Sequence, residues 1–282
     1  MAIGYEVDAF DQLSLIARRL IITKTYYEEV AMTKTHILSA EQVRKQAYCI
    51  PLASPSYASL PLQILDRESL AVSYRTDLDK ARSLVPEPLE VEDPIVTLTF
   101  LYMVLPGLGN YYEVSQSISA KFRGEAISFR PIMFAESIPA IMIGREIWGL
   151  PKKWGQPKLA VNNGTYMGTL HFDDVLVARA TMGYRYETLD LAEAHHAQTT
   201  PCVALKIIPH VDGSPRILEL VRFGYTDVKM KGAWNGPTAL ELNPHALAPL
   251  ADLPVREIVS SSHTFYDALL PQGEVIHDYL AP

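Results

Sequence analysis

The feature that most constrains the fold of this chain is a hydrophobic period of two, which begins near residue 69 and recurs in short runs. β-Branched and aromatic residues alternate with polar ones in these runs, a pattern typical of half-buried strands. Because short turns separate most of them, the runs predict a mostly antiparallel, barrel-like sheet. The runs are SLAVSYR, PIVTLTFLYMV, YEVSQSISAKF, AISFRPIMFA, IPAIMIGREI, TYMGTLHFDD, VLVARATMGY, ALKIIPH and RILELVRFGY.

Capping residues predict a few short helices beside this sheet, which makes the expected fold class α+β and β-rich. Ser39 opens SAEQVRKQAY with a capping box, Asp77 precedes LDKARSLV, Asp190 precedes LAEAHHA, and Asn243 precedes PHALAPLADL. The turn VDGSP at residues 211–215 predicts a hairpin between two strands.

The domain organisation follows from a change of pattern near residue 39. Residues 1–38 differ from the rest and predict an N-terminal appendage, either helical or disordered. No repeat, low-complexity tract or Gly/Ser linker divides the remainder, so residues 39–282 are predicted to form a single domain.

Charge and cysteine usage exclude several classes of function. The net charge of −7, without a run of five basic residues, argues against nucleic acid and anionic membranes as partners. No apolar run reaches the roughly 20 residues that span a bilayer. Cys49 and Cys202 lie far apart, which favours a cytoplasmic protein without disulfides. The histidines lack metal-ligand spacing, so we expect no metal, and the missing nucleotide-binding motifs argue against nucleotide chemistry.

Two adjacent lysines stand out in GREIWGLPKKWGQPKL, residues 144–159. The ordinary interpretation is a solvated turn. If LPKKW is extended, however, Leu150, Lys152 and Trp154 share one face of the strand and Lys153 lies on the other. Burial among apolar side chains disfavours a charged amine, and a neighbouring cation disfavours it further. A neutral amine is a nucleophile toward carbonyl carbon and can form an iminium.

The chain resembles the acetoacetate decarboxylase family over about residues 39–281. The resemblance rests on GREIWGLPKKWGQPKL together with YRTDLDKARSLVPEPLE, MGYRYETLD, LKIIPHVDGSPRILEL, AWNGPTALEL, HALAPLADLPVREIVSSSH and EVIHDYL, in this order. It implies a β-rich, barrel-like fold, a large homo-oligomer, a small β-keto acid as substrate, and no metal or organic cofactor.

The resemblance also implies roles for particular residues. Lys152 matches the lysine that forms the Schiff base, and Lys153 matches the neighbour credited with perturbing that amine. Arg67 in ILDRESLAVSYRTD and Glu113 in GLGNYYEVSQ match two further site residues. Thr99 stands where the family usually has a glutamate, and a hydroxyl supplies neither the charge nor the basicity of a carboxylate.

These residues also have ordinary interpretations. Arg67 could be an exposed partner of Asp66 or Glu68, and Glu113 a solvated carboxylate on an edge strand. Arg145 and Glu146 are interpreted as a structural pair that orients the lysine segment.

The resemblance predicts the decarboxylation of acetoacetate to acetone and carbon dioxide through a Schiff base on Lys152. One alternative is a Schiff-base aldolase or dehydratase that acts on a larger 2-oxo acid, which Thr99 leaves open. The second alternative is a protein that binds a small carboxylate without catalysis, against which the intact pair of Lys152 and Lys153 argues.

Overall fold

The computed structural model describes residues 37–281 of the chain. The described residues divide into two units, one that ends at Tyr48 and one that begins at Cys49. In the first unit the described residues contain helix α1 (Ala40–Gln46), and the capping box predicted at Ser39 is confirmed. The predicted appendage, residues 1–38, lies almost entirely outside the described residues, and the domain boundary after residue 38 stays a prediction.

The second unit is built mainly of strands. Four short helical segments lie between them: α2 (Leu78–Ser83), α3 (Ile138–Ile143), a π-helix (Gly144–Trp148) and α4 (Leu191–Thr199), with a 3-10 turn at Leu250–Asp252. The strands are β1 (Leu62–Arg75), β2 (Ile95–Leu105), β3 (Gly109–Phe122), β4 (Glu125–Ala135), β5 (Lys152–Trp154), β6 (Gln156–Asn162), β7 (Thr165–Phe172), β8 (Val175–Gly183), β9 (Glu187–Thr188), β10 (Cys202–Pro209), β11 (Pro215–Phe223), β12 (Thr226–Asn235), β13 (Thr238–Leu242), β14 (Glu257–Leu270) and β15 (Glu274–Asp278).

The strands form two sheets that are mostly antiparallel. The larger sheet has the order β15-β11-β10-β4-β3-β2-β1-β14-β12-β9, with β5 added beside β4. Strand β4 pairs in parallel with both β10 and β5. The smaller sheet has the order β13-β8-β7-β6. The predicted α+β, β-rich, mostly antiparallel fold is therefore confirmed, although in the described part of the chain the large sheet stays open, with β15 and β9 at its ends.

The large sheet is buried on both faces near its middle. Strand β2 turns Leu98 and Phe100 toward the core shared with the smaller sheet. It turns Leu101 and Met103 toward a second apolar cluster that contains Trp148, beside the lysine segment. The alternation of β2 thus separates a structural core from the face on which the candidate site lies.

Most predicted helices and the hairpin are confirmed. Asp190 accepts hydrogen bonds from the backbone of Ala192 and Glu193 and caps α4. Asp77 precedes α2, but its carboxylate binds Arg256 in place of the helix backbone. Strands β10 and β11 flank the turn at residues 211–215 as an antiparallel pair.

Two predictions of local structure are wrong. The run IPAIMIGREI, predicted as a strand, forms α3 and most of the π-helix, because Ser137 caps the segment and Pro139 suits a first helical turn. The helix predicted after Asn243 is reduced to the short 3-10 turn, because the Asn243 amide donates to the Leu176 carbonyl in place of capping a helix. Within residues 37–281, no helix is long and apolar enough to cross a membrane.

Candidate active site

Strand β5 carries Lys152 into the interior of the molecule. This strand has three residues and lies parallel to β4, with Lys152 beside Met133. Only 5% of Lys152 is exposed, and Leu150 is also buried. Both residues line one cavity, as the alternation predicts. Trp154 was expected on the same apolar face, but it is 44% exposed and lies outside that cavity.

Two glycines in the preceding segment allow this placement. Gly149 ends the π-helix with a φ of 71°, and a Cβ atom there would lie 2.4 Å from the Cα atom of Lys206. A Cβ atom on Gly144 would lie 2.9 Å from Cδ and 3.0 Å from Cε of Lys152. Glycine is therefore required at 149 by backbone conformation and close approach, whereas at 144 its missing side chain leaves the space that the lysine side chain occupies.

Arg145 and Glu146 hold the same segment through separate contacts. Arg145 Nη1 donates a hydrogen bond to the backbone oxygen of Lys152 at 3.2 Å. The Tyr57 hydroxyl donates to Glu146 Oε2. Arg145 thus connects the π-helix to β5, and Glu146 connects it to the segment before β1 that contains Tyr57.

Glu113 is the charged partner of Lys152. The amine Nζ lies 2.6 Å from Glu113 Oε2, and each side chain is only 6% exposed. The contact is an ion pair without the alignment of a hydrogen bond. Strand β3 turns Glu113 and Tyr111 to the same face of the sheet, and Nζ lies 5.7 Å from the centre of the Tyr111 ring. Burial, aided by the charge of Glu113, raises the pKa of Tyr111 well above its usual value, so this phenol stays protonated.

The cavity around this pair is mainly apolar. Its walls include Met103, Met133, Trp148 and Phe223, together with Gly144 beneath the lysine side chain. A low-dielectric surrounding strengthens charge interactions between the groups it encloses. The arrangement is therefore suited to transferring a proton between an amine and a carboxylate away from bulk water.

Lys153 points away from this cavity. Its Nζ donates to the backbone oxygen of Leu247 and lies 5.2 Å from the centre of the Phe172 ring. Lys152 and Lys153 are thus neighbours in sequence whose amines lie on opposite faces of β5.

Arg67 is buried beside the cavity rather than in its wall. Its guanidinium lies over the rings of Tyr225 and Tyr266, at 4.7 and 5.0 Å from their centres. Only 4% of the residue is exposed, and Nε and Nη1 have no hydrogen-bond partner among the described residues. Because Asp66 pairs with Lys231 and Glu68 with His263, neither acid is the partner of Arg67.

Thr99 lies on β2 between Ala71 of β1 and Ser115 of β3. It is partly buried and is not among the residues that line the cavity. The structure therefore brings Lys152 and Glu113 together, keeps Arg67 close by behind Tyr225, and leaves Thr99 and Lys153 outside the cavity wall.

The sequence analysis missed Arg130, a residue of β4 that lines the cavity. Its guanidinium donates to Ser115 Oγ and, at 3.1 Å, to Cys202 Sγ. Burial acts against its charge, but Cys202, Tyr225 and Glu113 raise its pKa, so Arg130 is a cation. The available signal was an arginine inside the strand run AISFRPIMFA, where the alternation alone could not show which groups surround it.

Metal binding has no visible basis in the part of the chain that the structure describes. Residues 37–281 contain no group of three or more His, Cys, Asp and Glu side chains placed to hold a metal ion. The polar groups of the cavity are instead suited to proton transfer and to contact with an anion.

Comparison with known sequences identifies the family of this chain. The family model described as "Acetoacetate decarboxylase (ADC)" matches residues 49–280. A curated acetoacetate decarboxylase from Burkholderia cenocepacia is 47% identical over 245 residues, which cover 86% of this chain and all of that protein.

Solved structures show the same likeness. A structure described as "Structural Studies of Acetoacetate Decarboxylase" has a TM-score of 0.84 and 46% identity, covering 86% of this chain and all of that one. An acetoacetate decarboxylase from Legionella pneumophila has a TM-score of 0.80 and 38% identity, covering 87% of this chain and all of its own. With a buried lysine on its central sheet and this match along most of its length, the chain belongs to the acetoacetate decarboxylase family, and the predicted resemblance is confirmed.

Proposed function

We propose that this protein is a carboxy-lyase that converts acetoacetate to acetone and carbon dioxide through a Schiff base on Lys152. The observation that carries the proposal is the buried pair of Lys152 and Glu113, with 2.6 Å between Nζ and Oε2. A nucleophilic amine needs a base that can remove its proton, and here the base lies within proton-transfer distance.

The first half of the reaction makes an electron acceptor. Glu113 Oε2 takes a proton from the Lys152 ammonium, and the free amine attacks the ketone carbon of acetoacetate. The resulting carbinolamine loses water, with the proton for the departing hydroxyl returned from Glu113. The product is an iminium between Lys152 Nζ and the former ketone carbon, positioned β to the carboxylate.

The second half breaks the carbon–carbon bond. The electron pair of the bond to the carboxylate moves toward the iminium, carbon dioxide leaves, and an enamine remains. Protonation of the terminal enamine carbon restores an iminium, and water hydrolyses it to acetone and the free amine. Glu113 is the group we assign to these proton transfers, because it is the carboxylate in contact with Nζ.

Arg67 is proposed to act on the charge of the pocket. Its guanidinium stacks on Tyr225, whose ring forms part of the cavity wall, and its charge acts on the Tyr111 phenol. A fixed cation behind this wall favours negative charge within the cavity.

Trapping with borohydride tests the proposal directly. The protein is incubated with acetoacetate and borohydride, and peptide mapping then locates any added mass, while carbon dioxide release is measured in parallel. We expect a reduced three-carbon adduct on Lys152 and release of carbon dioxide. An adduct on another lysine, or carbon dioxide release without any adduct, would contradict the mechanism.

Gly144→Ala is expected to lower kcat/KM by about 10- to 100-fold, because the new methyl group occupies the space of the Lys152 side chain and displaces its amine. The flexible lysine can move aside, so the protein should still fold. Kinetics and thermal unfolding measure the two effects. Gly224→Ala is the matched control, since nothing lies within 4 Å of a Cβ atom there. Equal activity of the two variants would show that the position of Lys152 tolerates the methyl group.

Lys153→Met is expected to reduce turnover without abolishing it. The change removes the amine that binds the Leu247 carbonyl behind β5 but retains most of the side-chain bulk. We propose that Lys153 supports the placement of Lys152 from the opposite face of the strand. The measurement is kcat/KM together with borohydride trapping, and loss of the adduct on Lys152 would assign Lys153 a direct part in the chemistry.

Cytoplasmic location and assembly into a large homo-oligomer are also part of the proposal. Both cysteines are free thiols, which suits a reducing compartment. Large apolar side chains such as Val211, 97% exposed, and Ile207, 53% exposed, favour burial against another copy of the chain. Light scattering of the purified protein tests the assembly, and a mass equal to one chain would contradict it.

A further inference from the structure

We infer that Arg130 binds the carboxylate of the substrate and makes the site selective for a single negative charge. This inference rests on the proposed function, since it assigns a role in recognising the same β-keto acid. Arg130 lines the cavity that contains Lys152 and Glu113, the cavity in which the proposed reaction takes place.

The hydrogen bonds that Arg130 makes leave its guanidinium able to bind an anion. Its two terminal nitrogens donate to Ser115 Oγ and Cys202 Sγ, neither of which is a carboxylate. Its Nε atom is buried and has no hydrogen-bond partner among residues 37–281. An unsatisfied buried donor on a charged group is costly, and a carboxylate is the ligand that satisfies a guanidinium best.

The charges in the cavity also favour an anionic ligand. Among residues 37–281, the carboxylate beside the amine is that of Glu113, which is already in contact with Lys152. The Lys152–Glu113 pair is neutral in sum whichever of the two holds the shared proton, so Arg130 leaves the cavity with one positive charge. A buried charge without a counter-ion is unfavourable, and one monoanionic substrate would balance it.

Arg67, the other buried arginine nearby, is less suited to this role. Its guanidinium lies over the rings of Tyr225 and Tyr266, and Arg67 does not line the cavity. Arg130 is therefore the cation that can contact the substrate.

This assignment separates the two ends of the substrate. Arg130 holds the carboxylate while Lys152 reacts with the ketone, so the two contacts fix the orientation of the molecule. After carbon dioxide has left, the product no longer carries the group that Arg130 binds. Acetone is then retained less strongly than acetoacetate, which favours its release.

The test compares a charged and a neutral ligand in the same variants. Kinetics of carbon dioxide release report binding of acetoacetate, and borohydride trapping with acetone reports Schiff-base formation without a carboxylate. For Arg130→Gln we expect the KM for acetoacetate to rise by about 30-fold or more, as for loss of a charged hydrogen bond. The acetone concentration for half-maximal trapping should change by less than about 3-fold, since acetone has no charge to lose.

Arg130→Lys keeps the charge and should recover part of the lost affinity. Arg179→Gln is the control, because Arg179 is half-exposed on the smaller sheet and pairs with Glu241. An unchanged KM in Arg130→Gln would overturn the inference. A parallel loss of trapping with acetone would also overturn it, since Arg130 would then organise Lys152 rather than bind the substrate.

If Arg130→Gln does not fold, a second set of measurements tests whether Arg130 binds the substrate carboxylate. Ser115→Ala leaves the guanidinium in place but removes the hydroxyl that fixes it, and should raise KM by about 3- to 10-fold. In the unaltered protein, propionate should compete with acetoacetate, whereas propanamide, of similar shape, should not. Failure of propionate to compete, or an unchanged KM in Ser115→Ala, contradicts the inference. If the unaltered protein forms no adduct with either acetone or acetoacetate, the proposed function itself fails.

Discussion

Lys152→Ala is expected to abolish the decarboxylation of acetoacetate. The methyl side chain cannot form an iminium, so no electron acceptor remains for the bond to the carboxylate. Turnover should fall to the rate of the uncatalysed reaction, a loss on the order of 10⁶-fold. Carbon dioxide release is the measurement, and borohydride trapping of the variant should show no adduct on residues 150–155.

The fold should survive this change. Among the described residues the ion-pair partner of Lys152 is Glu113, and β5 pairs with β4 through its backbone, which the substitution leaves in place. Thermal unfolding of the variant should therefore remain cooperative. Lys158→Ala, an exposed lysine on β6, is the matched control and should keep full activity. Turnover of Lys152→Ala within a few fold of the unaltered protein would contradict the Schiff-base mechanism.

Glu113→Gln is expected to lower kcat by about 10²- to 10⁴-fold, which is the usual contribution of a general acid or base. The amide has nearly the shape of the carboxylate but cannot accept the proton of the Lys152 ammonium. Adduct formation on Lys152 should still occur, but more slowly, because the nucleophile remains in the cavity. Rapid kinetics of trapping and steady-state turnover measure the two steps.

Glu90→Gln is the control for this substitution, because Glu90 is exposed and remote from the cavity. If Glu113→Gln retains normal kcat, proton transfer passes through another group. If it retains normal trapping but loses turnover, Glu113 acts after the iminium forms, at the protonation of the enamine carbon.

The fold could be predicted from the sequence wherever the pattern was local. The alternation in SLAVSYR and PIVTLTFLYMV corresponds to β1 and β2, and the Asp190 cap to the start of α4. The run IPAIMIGREI could not be interpreted in this way, because its apolar residues suit a strand or a helix equally well. The helical conformation follows from Ser137, which caps α3, and from Gly149, which ends the π-helix at a positive φ against the distant residue Lys206.

The site was predictable only in part. The alternation in LPKKW predicts the buried position of Lys152 and the opposite direction of Lys153, and the resemblance adds Glu113. Arg130 could not be found, because its importance arises from the pairing of β4 with β3 and β10, which brings Ser115 and Cys202 to its guanidinium. The contacts of Arg67 with two tyrosines likewise depend on β1, β14 and Tyr225, the residue before β12, meeting in space.

The parallel pairing of β4 and β5 has a consequence for insertions and deletions. The connection between the two strands, residues 136–151, fixes which residue of β5 lies beside Met133. Deleting one residue from the connection while keeping the pairing would place Lys153 at the position of Lys152, facing the cavity. Inserting one residue would place Pro151 there, which has no amine. The doubled lysine therefore makes the nucleophile tolerant of a one-residue deletion, whereas a one-residue insertion would remove it.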